Sequence, residues 1–272
     1  MPAAHSPRFH RLQLITGKAG LDALAETRVI VCGVGGVGSW TAEALARSGV
    51  GHLSIVDSDL VCVTNINRQV QATSSTVGRP KVEVLRERLH EINPTAEITA
   101  YDGIYDWSTA DRFDLSAYDY VIDAIDSLGS KVELIANALR SDTVLFSSLG
   151  AACKLDATRI RVSSLWETKG CRLGRFVRKR LRNRGIRSKF LCVYSDELIP
   201  GQEGEIGCGT GDCVCPKAKT EDGELVDAHE WCSSKQQING SATHITGIFG
   251  FHLCGLVSQD VMKPFKEVRP LS

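Results

Sequence analysis

The chain has 272 residues, enough for one large or two modest domains around a sizeable core. It is 43% hydrophobic and 24% charged, and its 32 Lys and Arg balance 32 Asp and Glu, so no global field draws it to nucleic acid and any such attraction is local. The opening Met1-Pro2-Ala3-Ala4-His5 lacks the apolar core of a signal peptide, which sets aside a secreted disulfide scaffold; the ten cysteines read as reduced thiols and the expected location is the cytoplasm.

Residues 8–26 read as a helical lead-in. Strand-like runs follow near 28–33, 51–57, 96–101, 118–123 and 143–147, with helical patterns near 38–48, 79–92 and 129–140 between them. Asn93-Pro94 supplies a proline stop for the second of these helices. The alternation predicts parallel βαβ units with right-handed crossovers, hence a Rossmann-like, doubly wound α/β fold whose sheet is mainly parallel. Its ligand belongs at the carboxyl ends of the strands, where the strand order reverses.

Beyond residue 150 the texture changes, and a less regular C-terminal extension is expected. Thr158 to Leu165 reads as a further strand. Lys169 to Lys189 holds ten Lys or Arg and no Asp or Glu, and an acidic, glycine-rich stretch runs from Ser195 to Asp212. The apolar stretch Ala242 to Val261 carries His244, His252, Gln259 and Asp260, and reads as a packed helix rather than a membrane span.

The most informative segment is Val29-Ile30-Val31-Cys32-Gly33-Val34-Gly35-Gly36-Val37-Gly38. A β-branched run enters a turn rich in glycine, and the helix beyond it aims unpaired N–H groups at an anion. Asp57 follows Gly38 by nineteen residues and ends the next apolar run, which suits a carboxylate that accepts from a ribose. By itself this pattern would also fit a nicotinamide dehydrogenase, but the segments that follow it do not. Asp57-Ser58-Asp59 leads to Thr64-Asn65-Ile66-Asn67-Arg68-Gln69, then to Gly78-Arg79-Pro80-Lys81 and Asp123-Ala124-Ile125-Asp126-Ser127.

In order and spacing these segments resemble the adenylating family that includes ubiquitin-activating enzymes and bacterial activators of sulfur-carrier proteins. The resemblance divides the chain into an ATP-binding adenylation core over 1–165 and an extension over 166–272 continuous with it. It implies that Gly33, Gly35, Gly36 and Gly38 form the nucleotide turn, with Asp57 on the ribose and Asp59 beside it. Asn65, Arg68 and Lys81 would bind the triphosphate, and Asp126 would sit by the α-phosphate with a magnesium ion. Arg11, in Arg8-Phe9-His10-Arg11, matches an arginine that the family inserts into the partner subunit's ATP site, which implies a homodimer. Read as residues alone, Asn65 also suits a turn, Lys81 a solvated helix face, Asp126 a helix N-cap and Arg11 plain surface.

Within the family, Thr41 to Arg47, Asp59 to Asn65, Tyr120 to Ser127 and Thr246 to Phe251 most resemble the branch of tRNA threonylcarbamoyladenosine dehydratases. That branch implies ATP-driven activation of a threonyl carboxylate on a tRNA base, followed by ring closure. The other reading within the family is activation of the C-terminus of a ubiquitin-like or sulfur-carrier protein. The basic run supports tRNA: Arg175, Arg178, Lys179, Arg180 and Arg182 suit a phosphate backbone, which they would position without reading bases. A sulfur-transfer or redox protein is a further partner under this resemblance; DNA is not. Cys208, Cys213, Cys215 and Cys232 lack the paired C-x-x-C spacing of a structural zinc, leaving a metal site or unpaired thiols open. Cys232 falls near a cysteine of the dehydratase branch, so a catalytic part for it stays open, although an internal attack already gains from effective molarity.

Overall fold

The alternation of strand and helix signals becomes one seven-stranded sheet in the computed structural model, which describes residues 6–198 and 239–265. The strands are β1 (Arg28–Cys32), β2 (His52–Asp57), β3 (Glu97–Asp102), β4 (Tyr120–Asp123), β5 (Val144–Ser148), β6 (Ile160–Ser164) and β7 (Leu191–Ser195), and their order is β3-β2-β1-β4-β5-β7-β6. All pairs are parallel except β6 with β7, where Ile160 faces Ser195 at the sheet edge. The chain leaves β1 toward β2 on one side and returns to β4 on the other. The reversal of strand order therefore lies between β1 and β4.

Side chains of β1 alternate between two cores, as the two-residue period of a strand requires. Val29 and Val31 face one layer with Leu45, Ile55, Leu85 and Phe249; Ile30 and Cys32 face the other with Val121, Leu134, Ile135, Val177 and Leu181. Helices α1 (His10–Glu26), α2 (Gly38–Arg47) and α3 (Lys81–Ile92) supply the first layer, and α4 (Leu128–Ala138) and α5 (Arg172–Asn183) the second. The predicted lead-in helix bends at Gly17, which adopts φ 69°.

The late apolar stretch forms α6 (Thr243–Met262), long and apolar enough to cross a membrane by length and composition. Here Ile245, Phe249, Leu253 and Val257 bury one face of it in the first core layer. It crosses α2 so closely that a Cβ on Gly250 would lie 2.8 Å from Trp40 Cβ and 2.9 Å from Thr41 N.

Two elements depart from the sequence reading. The basic segment is the helix α5, anchored by Gly174, Val177 and Leu181. A strand not foreseen, β7, then inserts between β5 and β6 of the same sheet. Cys32, Cys153, Cys171, Cys192 and Cys254 are free thiols, whereas Cys62 is disulfide-bonded, unlike the reduced state expected of it. Burial pushes the Cys32 and Cys192 thiols far up, which makes them inert core residues.

Candidate active site

Loops leaving the carboxyl ends of β1, β2 and β4 meet at the reversal. Gly33 accepts the β1 turn with φ 87°, its N–H donating to Val56 O at 2.8 Å. A Cβ on Gly38 would stand 1.8 Å from Gly33 O, so only glycine lets α2 start there. Gly35 is different: the nearest atom to an added Cβ is Gln69 Nε2 at 3.9 Å, leaving its backbone open to a ligand.

Asp57, the last residue of β2, braces this turn. Its Oδ2 accepts from Val34 N at 2.8 Å and its Oδ1 from Asp59 N at 2.9 Å. A carboxylate has about four acceptor positions, so it retains capacity for a hydroxyl pair. Burial pushes its carboxyl up, against the lowering pull of Lys81 and the two backbone N–H groups.

Lys81 reaches the same place from α3. Leu60 and Pro80 form an antiparallel bridge, Val61 N donates to Arg79 O and Lys81 N to Asp59 O, which seats the lysine beside β2. Its side chain is buried, with Nζ 2.6 Å from Asp59 Oδ2 and 4.0 Å from Asp57 Oδ1. Burial works against its charge, but Asp57, Asp59 and the more distant Asp126 outweigh it and hold the ammonium above its ordinary pKa. Lys81 is thus a buried cation, not a solvated helix face.

Asn65 is buried, and its Oδ1 accepts from Cys62 N at 3.0 Å. Arg68 spans the rim: its Cδ lies 3.5 Å from where a Gly36 Cβ would be, and one guanidinium nitrogen donates to Thr64 O at 2.8 Å. Its carbonyl is held by Trp40 Nε1 at 3.0 Å and Thr246 Oγ1 at 3.5 Å, which ties the rim to α2 and α6. Asp126 is exposed, in the loop between β4 and α4; the N-cap position is Ser127, so Asp126 does not serve as the cap.

Arg11 is exposed on the first turn of α1, beside Leu14 and Ile15, which are 72% and 83% exposed. On α5, Arg175, Lys179, Arg180 and Arg182 face solvent, whereas Arg178 turns inward to the carbonyls of Leu165 and Thr168 at 3.2 and 3.0 Å. Cys208, Cys213, Cys215 and Cys232 lie outside the described residues.

Several residues at this edge carried no sequence signal for a role. Gln71 Nε2 donates to Val34 O at 2.8 Å beneath the glycine turn, and Gln69 is buried beside it. Asp123 and Lys131 form a buried pair under the Asp126 loop. Asp123 was visible only as part of a motif; nothing in the helical pattern 129–140 distinguishes a lysine that faces inward.

An edge of this construction belongs to the nucleotide-binding α/β proteins. Within that class the chain is a member of the ThiF family, whose pattern matches residues 8–251. The tRNA threonylcarbamoyladenosine dehydratase of Bacillus subtilis is 44% identical over 190 residues, 70% of this chain and 75% of the relative. The Escherichia coli dehydratase is 36% identical over 251 residues, 90% of this chain and 89% of the relative. Solved structures of E. coli tRNA N6-threonylcarbamoyladenosine dehydratase, TcdA, in complex with AMP and with ATP superpose with TM-scores of 0.79 and 0.78. Each is 32% identical and covers 95% of both chains.

Proposed function

We propose that the chain is an ATP-dependent tRNA threonylcarbamoyladenosine dehydratase acting in the cytoplasm. The observation that carries the reading is likeness to the E. coli dehydratase across 95% of both chains, well past the nucleotide-binding core into β7 and α6. The site chemistry agrees. A carboxylate oxygen leaves poorly, so the threonyl carboxylate first attacks the α-phosphorus of ATP and pyrophosphate departs. The neighbouring carbamoyl group then attacks the acyl-adenylate carbonyl, AMP leaves, and the ring closes with net loss of water.

Negative charge gathers around phosphorus and on the departing pyrophosphate, and fixed cations already in place lower that barrier. Arg68 offers a planar fork for phosphate oxygens and Lys81 a buried point charge. Asp57 receives the ribose, Gly35 gives the phosphates open backbone, and Asn65 lines the triphosphate path. Exchange of Asp59 for phosphate as the partner of Lys81 keeps the lysine neutralised in both states.

Asp126 suits a hard cation: it is an exposed carboxylate near Lys81 with no hydrogen bond among the described residues. Magnesium held there with ATP supplies further positive charge to the phosphates. Arg11 fits a role across a homodimer, since the exposed Leu14 and Ile15 on its helix give a second copy an apolar surface to cover. The exposed cations of α5 hold the tRNA backbone.

The test is mass spectrometry of nucleosides from threonylcarbamoyl-modified tRNA incubated with protein, ATP and magnesium. A nucleoside lighter by one water, with one AMP formed per ring, is expected. AMP formation that requires a ubiquitin-like or sulfur-carrier protein and ignores tRNA would overturn the reading in favour of carrier activation.

A further inference from the structure

The basic helix adjoins the site. A cleft of about 340 Å³ opens between α4 and α5, lined by Leu128, Phe176, Lys179, Arg180 and Asn183. Leu128 begins α4 two positions after Asp126, so their Cα atoms are at most about 7 Å apart. The two helices that wall the cleft are joined, because Arg184, the residue that caps the C-terminus of α5, pairs with Glu133 of α4 at 2.7 Å. On the far side of α5, Arg178 and its carbonyl partners fix the helix to the segment after β6.

Phe176 is the unusual member of this wall. Val177 and Leu181 already anchor α5, yet Phe176 keeps 36% of its surface in water. The guanidinium carbons of Arg172 and Arg175 lie over its ring, 6.0 and 5.2 Å from the centroid, as exposed cation contacts of the weak kind that a stacking base displaces. A ring in a small cleft bordered by cations is the chemistry that holds an unpaired base by stacking and its phosphates by charge. Bare phosphate makes no use of the ring, and an apolar peptide makes none of the four cations.

We propose that this cleft is a nucleobase subsite in which Phe176 stacks on a base next to the adenosine being modified, with Lys179 and Arg180 on its phosphates. The assignment rests on the tRNA reading above and adds a base contact to a helix otherwise suited only to backbone. An anticodon loop is single-stranded and displays its bases, as such a subsite requires.

The experiment compares Phe176→Leu and Phe176→Trp in the full chain, using an anticodon stem–loop with 2-aminopurine beside the modified adenosine. Stacking on wild type and on the Trp variant is expected to quench the label, and the Leu variant to lose that quenching. The KM for tRNA in pyrophosphate release should rise between about fivefold and about 100-fold in the Leu variant, with kcat nearly unchanged. A Leu variant that binds and quenches as wild type does, while wild type turns over tRNA, overturns the subsite alone. Failure of the wild type to bind the stem–loop or to turn over tRNA overturns both this subsite and the reading beneath it.

Discussion

Lys131 Nζ lies 2.7 Å from Asp123 Oδ2, and both side chains are wholly buried. The same Asp123 oxygen accepts from Ser147 Oγ at 2.5 Å, the other from Ile125 N at 3.2 Å, and Lys131 also donates to Ser148 O at 2.9 Å. One ion pair therefore joins the ends of β4 and β5 to α4, directly under the loop that carries Asp126. Lys131→Met leaves the aspartate buried without its cation, at a cost of about 3–5 kcal/mol. For a chain of this size that is a loss of roughly 10 °C in Tm. Calorimetry checks it, and adding Asp123→Asn should recover part of the loss; a drop of less than about 3 °C would show that the pair is not the brace described.

The glycines of the turn separate into two kinds. Gly38→Ala drives a Cβ into Gly33 O and should destabilise the protein strongly or prevent folding. Gly35→Ala meets nothing closer than 3.9 Å and should fold with an unchanged Tm. Because the open backbone at Gly35 is where phosphate is expected to approach, ATP affinity should still fall in that variant. Calorimetric titration with ATP decides: unaltered affinity in Gly35→Ala would move the phosphates elsewhere.

Arg68→Ala and Lys81→Met each remove one fixed cation and should slow tRNA-dependent AMP formation by about 10²–10³. Arg68 is partly exposed and its hydrogen bonds to Thr64 and Asn67 are local, so its variant should lose less stability than the Lys81 variant. Lys81 also neutralises Asp57 and Asp59, and its loss should cost stability as well as rate. Single-turnover assays at saturating ATP separate the two effects, and a full rate in Arg68→Ala would remove it from the phosphate clamp.

Glu43, buried on α2, accepts from Arg47 and from Arg88 of α3. Burial raises its pKa, but the hydrogen bonds and charge of the two arginines outweigh that and leave it lowered. A lowered folded-state pKa contributes stability above the unfolded value, about 4.3, and that contribution is lost as pH falls through the folded value. Glu43→Gln should therefore cost about 1–2 kcal/mol at pH 7, since both arginines remain near solvent. Urea melts from pH 7 to pH 3 should show the gap between wild type and variant narrow once pH falls below the unfolded value and close as it passes the lowered folded value. A gap that stays constant would mean the carboxylate charge is irrelevant.

Much of this arrangement was legible because the deciding residues are local. Val29 to Gly38 combines a buried strand with a turn that only glycine can make, and the strand–helix alternation up to Ser148 follows from period alone. β7 escaped notice because Leu191 to Ser195 is a short apolar run between a basic and an acidic stretch, and a buried strand of five residues has no alternation to display. The α5 helix was hidden for the opposite reason: charges crowd it, and three small or apolar anchors suffice to seat it. Trp40, Gln71, Thr246 and Lys131 acquire their places from neighbours far along the chain. No spacing rule could have found Trp40 Nε1 on the carbonyl of Arg68, 28 positions away.

The inward turn of Arg178 divides the basic helix into two experiments. Arg175, Lys179 and Arg180 face solvent, and each phosphate contact they make releases counterions, steepening the salt dependence of tRNA binding by about 0.7–0.9. Replacing all three by Gln should weaken tRNA binding at low salt and reduce the slope of log K against log salt by about 2–3, with little change in Tm. Arg178→Gln should do the reverse, because its guanidinium is committed to the carbonyls of Leu165 and Thr168: the melting temperature falls while the salt slope stays. Filter binding across a salt series, run beside thermal melts, checks both. An unchanged slope in the triple variant would take the RNA backbone off α5, and a slope change confined to Arg178→Gln would mean that this side chain leaves its carbonyl partners when RNA binds.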